Sequence, residues 1–323
     1  MRYLITGASG FIGTHLLRQL LEDPTTESIY VLDLKPPAFE DRRIQYSSWD
    51  IRAPYTPAGA KGYDVCIHLA ALCKEPGYDW DEYFMTNHQG TRHLCDILDI
   101  LEIQNLVFVS TMMVFRAGEQ QMSESCLTAP DTAYGMSKLL AEMEVQSWEL
   151  RGAGRRCRIV RPGVVFGRGE NGNFVRLYRA LKKRRFAYVG RRNTIKSCIY
   201  VKDVVQCIRF LICDSGGRAV YNLVMPEAST IEAICHVMAA TFHLPCQGVP
   251  TIPVALAVAI GYLGEFANAL GLPNEIHHRR AEKLYNSTYL SAAALLNAGF
   301  TPAYDLPAAL EDWMVDCAPN DPH

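Results

Sequence analysis

Tyr134 and Lys138 stand four residues apart in the run Ala133-Tyr134-Gly135-Met136-Ser137-Lys138, downstream of Val109-Ser110-Thr111. On a helix that spacing places a phenol and an ammonium on one face, about one turn apart. The residues that follow, Leu139 to Glu144, are rich in strong helix formers. A free tyrosine, with a pKa of about 10, is a poor base at neutral pH. A cation held nearby favours the phenolate and brings the pKa towards the range where a general acid/base works best. The Thr111 hydroxyl is then placed to hydrogen-bond the substrate oxygen that gains or loses the proton. An exposed Tyr and Lys on an ordinary helix would show the same spacing, so the reading depends on the elements that carry them.

Those elements begin at the first residues. Tyr3-Leu4-Ile5 is a short apolar strand that runs into Thr6-Gly7-Ala8-Ser9-Gly10-Phe11-Ile12-Gly13, and His15 to Leu21 reads as a helix. Strand, glycine turn and helix form the dinucleotide-binding unit. Gly7 permits the tight turn, Gly10 the approach of backbone to a pyrophosphate, and Gly13 close helix–strand packing, with the anion on the helix N-terminus beside Phe11 and Ile12. Ser28 to Leu32 is the next strand and ends at Asp33. A carboxylate there accepts hydrogen bonds from an adenosine ribose and repels the extra phosphate of NADP, so Asp33 predicts NAD, with Lys35 as a counter-signal. Asp64 to His68 is a further strand, and Leu69, Ala70 and Ala71 at its end let a cofactor approach the backbone. Leu94, Ile97, Leu98 and Leu101 mark an amphipathic helix, and Leu106 to Val109 a strand that delivers Ser110 and Thr111 to the same edge. This alternation predicts an α/β fold, a Rossmann-type doubly wound parallel sheet, whose ligands bind beyond the carboxyl ends of the strands.

Composition limits the alternatives. The chain has 323 residues, 49% hydrophobic and 20% charged, with a net charge of −2. That describes an ordinary globular protein without a general attraction to nucleic acid or anionic membrane. Eleven cysteines, none in a CxxC pair, read as reduced thiols in a cytoplasmic protein rather than as disulfides or a metal site. Met1 to Ile5 run straight into the glycine loop, which is expected to leave no signal peptide. Ile252 to Leu263 is apolar but too short to span a bilayer, and contains Pro253 and Gly261. It reads as a core or cleft-lining helix, with a membrane-surface contact as the alternative.

The chain resembles an extended short-chain dehydrogenase/reductase of the NDP-sugar epimerase/dehydratase family. The matching stretches are TGASGFIG at 6–13, VLD at 31–33, WDI at 49–51, HLAA at 68–71, NHQGT at 87–91, VSTMMVF at 109–115, YGMSK at 134–138, RPGVVFGRG at 161–169 and YVKDV at 200–204, in the family's order. The resemblance implies a bound nicotinamide dinucleotide, Tyr134 as general acid/base, Lys138 on the nicotinamide ribose and Thr111 on the reacting oxygen. It further implies Asp50 and Ile51 near adenine, Asn87 near the catalytic helix, and a turn from cofactor to substrate at Pro162. A dinucleotide-binding domain over 1–165, rejoined by segments near 195–225, and a mainly substrate-binding lobe over 166–323 are expected. Asn173 opens a helix at the cleft, and Arg191, Arg192, Lys196 and Arg280 are candidates for a substrate diphosphate. A homodimer through helices at 88–102 and 134–150 is expected by resemblance.

Two departures sharpen the expectation. Dehydratases of the family carry an acidic pair directly after the catalytic Thr, where this chain has Met112 and Met113, which cannot protonate a leaving hydroxyl. Phe115-Arg116 stands where the family usually has Tyr-Gly. With Asp33 favouring NAD, the sequence predicts an NDP-hexose 4-epimerase, acting on a UDP-linked hexose or N-acetylhexosamine. A 4-keto-sugar reductase, a hydroxysteroid-type dehydrogenase and a non-catalytic NAD-binding regulator are the alternatives.

Overall fold

Strands as uniformly apolar as Tyr3 to Ile5, Ile29 to Leu32 and Leu106 to Val109 can be buried on both faces only under two layers of helices. The computed structural model describes residues 1–57, 62–75, 77–213, 219–272 and 277–317, without the side chains of residues 269, 279 and 280. The chain runs through β1 (Arg2–Thr6), α1 (Phe11–Glu22), β2 (Ser28–Asp33), β3 (Ile44–Ser48) and β4 (Val65–His68). Next come α2 (Trp80–Tyr83), a π-helical segment (Phe84–Gln89), α3 (Gly90–Ile100), β5 (Asn105–Val109), a 3-10 turn (Met112–Val114) and β6 (Gly118–Met122). Then follow α4 (Ala133–Leu150), β7 (Arg156–Pro162), β8 (Val164–Phe166), α5 (Asn173–Lys182), β9 (Tyr188–Val189), β10 (Ile195–Lys196) and β11 (Cys198–Tyr200). The last part holds α6 (Val201–Cys213), β12 (Val220–Leu223), β13 (Ser229–Thr230), α7 (Ile231–Thr241), β14 (Thr251–Ile252), α8 (Val254–Ala269), α9 (His278–Tyr285), β15 (Thr288–Leu290), α10 (Ala293–Asn297) and α11 (Leu306–Cys317).

Seven strands form one parallel sheet in the order β12-β7-β5-β4-β1-β2-β3. The order reverses between β1 and β4, which opens a crevice at their carboxyl ends. One face is covered by a core that includes Leu16, Leu17 and Leu20 of α1 and Val204, Val205 and Ile208 of α6. The other is covered by Leu94, Ile97 and Leu98 of α3 with Ala141, Val145 and Trp148 of α4. Each fully buried aliphatic side chain contributes about 1.5–3 kcal/mol. The smaller lobe carries a four-stranded sheet, β13-β10-β15-β6, and two two-stranded pairs, β8–β11 and β9–β14. In the main sheet β12 lies beside β7, so residues 220–223 return to the dinucleotide-binding half.

The apolar run expected as a core or cleft helix forms α8, and it lies on the surface. Leu256, Ile260, Tyr262, Leu263 and Phe266 are all exposed. Its buried positions are instead the small residues Ala257, Gly261 and Gly264. Hydropathy alone cannot distinguish the two placements, because the inward stripe is set by which residues permit close packing on α9. A Cβ added at Gly261 would stand 2.4 Å from the His278 Cα.

Close approach also fixes α4. A Cβ at Gly135 would stand 2.1 Å from the Met113 carbonyl oxygen, so glycine there lets the first turn of α4 touch the 3-10 turn after Thr111. In an unconstrained helix Gly135→Ala would gain about 1 kcal/mol of propensity. Here the clash should dominate, and the variant should lose about 1–3 kcal/mol in denaturant unfolding. An unchanged or raised midpoint would show that the contact is slack.

Candidate active site

The cleft lies along the carboxyl ends of β1, β4 and β5. Gly7 adopts φ +72°, and a Cβ on it would meet the Ala70 nitrogen at 2.4 Å; one on Gly13 would meet the Gly7 oxygen at 2.3 Å. The loop therefore folds tightly against both β4 and α1. The α1 N-terminus has Gly10 as its cap, without a side-chain capping bond and without an acidic residue in the first turn. Its free N–H groups and positive dipole end are left for an anion, as a dinucleotide pyrophosphate requires. Phe11 and Ile12 are half-buried at this end, as are Leu69, Ala70 and Ala71 beyond β4.

Asp33 ends β2 and accepts a hydrogen bond from the Ser9 N–H at 3.0 Å, tying the acidic residue to the glycine loop. Lys35 sits beside it, with its carbonyl accepting from the Ser9 hydroxyl at 2.7 Å. Asp50 pairs with Arg52 at 2.6 Å, which holds its carboxyl below the usual range. Ile51 is buried, and its carbonyl lies 2.9 Å from His93 Nδ1. Pro162 closes β7 opposite Leu223.

Asn87 sits in the π-helical segment, a geometry that often marks functional sites. Its side-chain oxygen accepts from the Leu72 N–H at 2.8 Å, and its amide donates to the Leu72 carbonyl at 3.0 Å and to the Ser137 hydroxyl at 2.9 Å. Ser137 in turn donates to the Tyr134 carbonyl at 2.9 Å. One side chain thus clamps the loop after β4 to the catalytic helix. A second buried chain joins Thr6, His68 and Thr91, with His68 Nδ1 2.7 Å from Thr6 Oγ1 and Nε2 2.9 Å from Thr91 Oγ1. Burial holds this imidazole well below its ordinary pKa, so it acts as a neutral tie between β1, β4 and α3.

Thr132 caps α4 by accepting from the Gly135 N–H at 3.0 Å, which fixes Tyr134 and Lys138 in its first turns. Both are buried, as is Thr111, whose hydroxyl favours the ionised form of the Tyr134 phenol. The expected pairing of charges differs in detail. Burial raises the Tyr134 pKa above that of a free phenol, opposed by the Thr111 hydroxyl. Burial also lowers that of Lys138, to about 7, opposed by Glu142. The Lys138 ammonium lies 4.0 Å from the centre of the Phe108 ring. In the cofactor-free chain, then, desolvation works against both charged forms, and the lysine alone does not produce a phenolate.

The sequence reading missed the support beneath this pair. Glu142, one turn beyond Lys138, accepts from Arg161 Nε at 2.9 Å and Nη2 at 2.6 Å, and from the Ser110 hydroxyl at 2.5 Å, all buried. The Ser110 side chain is thereby engaged with α4. The available signal was a basic residue at the end of an apolar strand, Cys157 to Val160, with an acidic residue at i+4 from Lys138. Met112 and Met113 fill apolar clusters, Met113 beside Tyr134.

The substrate-side candidates separate. Asn173 is exposed in the first turn of α5 and accepts from Arg176 at 3.1 Å. Arg191 binds Glu119 and donates to Ser287 Oγ at 3.2 Å and the Tyr285 carbonyl at 3.3 Å. Lys196 donates to the carbonyls of Asn286, at 2.6 Å, and Lys283, and burial lowers its pKa to about 8. Both side chains therefore already hold the lobe together. The Arg280 side chain lies outside the described residues.

Fold and site together define a dinucleotide-binding enzyme of the extended short-chain dehydrogenase/reductase type. A family model, the NAD dependent epimerase/dehydratase family, matches residues 3–223, and the chain belongs to that family. NAD is its cofactor. Among similar proteins, N-acetyl-alpha-D-glucosaminyl-diphospho-ditrans,octacis-undecaprenol 4-epimerase of Escherichia coli O157:H7 is 26% identical over 314 residues, covering 95% of this chain and 92% of its own. The structure of MoeE5 in complex with UDP-glucose and NAD superposes with a TM-score of 0.74 at 22% identity, covering 98% of this chain and 99% of that one. Human epimerase family protein SDR39U1 with NADPH gives a TM-score of 0.76 at 18% identity, over 98% and 100%. At those identities the two structures show a shared fold.

Burying Lys138 has a measurable cost. Unfolded, it keeps its proton to about pH 10; folded, it releases it near 7. Between those values the unfolded state binds more protons, so this group's contribution to stability rises with pH, and its cost is complete below about pH 7. Lys138→Met should stabilise the cofactor-free protein against denaturant by about 1–3 kcal/mol at pH 6 and less at pH 9, while abolishing turnover. A variant of lower stability at pH 6 would show that the ammonium is well compensated.

Proposed function

We propose that the protein is a C4 epimerase of hexose or N-acetylhexosamine diphosphates. What carries this reading is the buried group of Thr111, Tyr134 and Lys138, combined with methionines at 112 and 113. A proton can be moved at one substrate oxygen, while those two positions have no acid to expel a neighbouring hydroxyl. Tyr134 takes the C4 hydroxyl proton as that carbon is oxidised, and returns it after the 4-keto sugar has turned its other face. Thr111 holds the same oxygen. NAD, when bound, would supply a reversible acceptor for the C4 hydride. Lys138 binds the nicotinamide ribose, and with the cofactor's own positive charge offsets the desolvation that raises Tyr134. Asp33, Asp50 and Ile51 face the adenosine half, and Gly7, Gly10 and Gly13 the pyrophosphate.

The expected carrier of the sugar is UDP. The Escherichia coli relative, named for N-acetylglucosamine joined through a diphosphate to undecaprenol, supports a lipid carrier equally, since the diphosphate-linked sugar is common to both. The product would serve glycan assembly. The eleven cysteines are free thiols, which supports a reducing, cytoplasmic compartment. A homodimer through the outer faces of α3 and α4 is supported by the exposed Ile100, Met143 and Leu150.

Tyr134→Phe should lower epimerisation by about 100-fold to 10,000-fold while NAD binding, followed by fluorescence titration, stays close to wild type. Retained turnover would remove Tyr134 as the acid/base. Asp33→Ala should shift the ratio of NAD to NADP affinity towards NADP by about tenfold or more, and an unchanged ratio would place ribose recognition elsewhere.

A further inference from the structure

α8 is built inside out. Its inward stripe is Ala257, Gly261 and Gly264, and its outward side carries Leu256, Ile260, Tyr262, Leu263 and Phe266, with Leu263 68% and Phe266 64% exposed. Leu270 and Leu272 continue the apolar surface beyond its end. Large apolar side chains turned to water along a whole helix mark a surface that contacts something apolar. In the 16 residues of α8 the single charge is Glu265. That carboxylate accepts from the His278 N–H at 2.9 Å and lies 2.6 Å from His278 Nδ1 and 3.2 Å from His277 Nδ1, so it is bound to the start of α9.

A basic run lies in the same lobe, before the strand pair from which the helix leaves. Lys182, Lys183, Arg184 and Arg185 form an exposed basic run at the end of α5. Arg184 and Phe186 line a recess with Leu244 to Pro250. From there β9 pairs with β14, which leads through Pro253 into α8. An apolar helix and a basic run on one lobe suit an anionic bilayer, whose acyl boundary takes the apolar side chains and whose headgroups take the cations.

The helix is also tied to the cleft. α9 packs against α8, and its Lys283 donates to the Glu75 carbonyl at 3.0 Å, on the loop whose Leu72 packs against Tyr134. We propose that α8 and the basic run 182–185 dock the protein on an anionic lipid bilayer, where the active site takes a sugar diphosphate held by a lipid tail. The choice of substrate rests on the C4-epimerase reading; the docking does not.

The test is co-sedimentation of the full chain with vesicles of phosphatidylglycerol and phosphatidylethanolamine, and with vesicles of phosphatidylcholine alone. C4 conversion of UDP-N-acetylglucosamine and of undecaprenyl-diphosphate N-acetylglucosamine is measured in parallel. The anionic vesicles should carry the protein down and the neutral ones much less. Leu263→Glu with Phe266→Glu should reduce binding by about tenfold or more. Lys183→Glu with Arg185→Glu should reduce it on anionic vesicles only. Both double variants change exposed side chains, and an unchanged melting temperature verifies their fold. With docking established, conversion of the lipid-linked sugar in preference to the UDP sugar supports the substrate assignment. Preference for the UDP sugar overturns that assignment alone. Absence of vesicle binding overturns the docking, as does a wild-type dimer that Leu263→Glu with Phe266→Glu dissociates. Vesicle binding without conversion of either sugar would overturn the epimerase reading and leave the docking intact.

Discussion

The site depends on keeping a phenol and an ammonium together out of water. Desolvation disfavours the charge on each, raising the Tyr134 pKa and lowering that of Lys138 to about 7. Without a further positive charge, burial works against the phenolate and the ammonium alike. In the proposed mechanism, the positive nicotinamide ring of a bound dinucleotide would favour the phenolate that burial disfavours. The uncompensated burial is also a stability cost carried for function.

The scaffold offsets that cost by rigidity. Gly135 lets α4 press on the Met113 carbonyl, Asn87 clamps the loop after β4 onto the same helix, and the buried Glu142–Arg161 pair anchors it to Ser110 and β7. Removing one member of such a pair costs about 3–5 kcal/mol, because the partner charge is left buried alone. Three contacts on one helix leave Tyr134 little freedom except at its hydroxyl, where Thr111 meets it.

Much of this was legible in the chain. The glycine loop, the strand ending at Asp33 and the Tyr134–Lys138 spacing are local patterns, and local geometry suffices to build them. Glu142 and Arg161 were not legible as a pair, because nothing in sequence spacing says that an i+4 glutamate on α4 meets the end of β7. The burial of Lys138 was not legible either: a spacing argument gives proximity, whereas burial shifts the balance of protonation. α8 was misplaced because hydropathy counts apolar residues without saying which side of the helix carries the small ones.

The most direct measurement is proton NMR in deuterated water. The purified protein, without added cofactor, is given glucose and N-acetylglucosamine diphosphates carried on UDP and on undecaprenol. The account predicts interconversion of the C4 epimers of at least one of them, with the C4 hydrogen retained, because the hydride taken from C4 is the one returned. No interconversion of any, or deuterium appearing at C4, would contradict it.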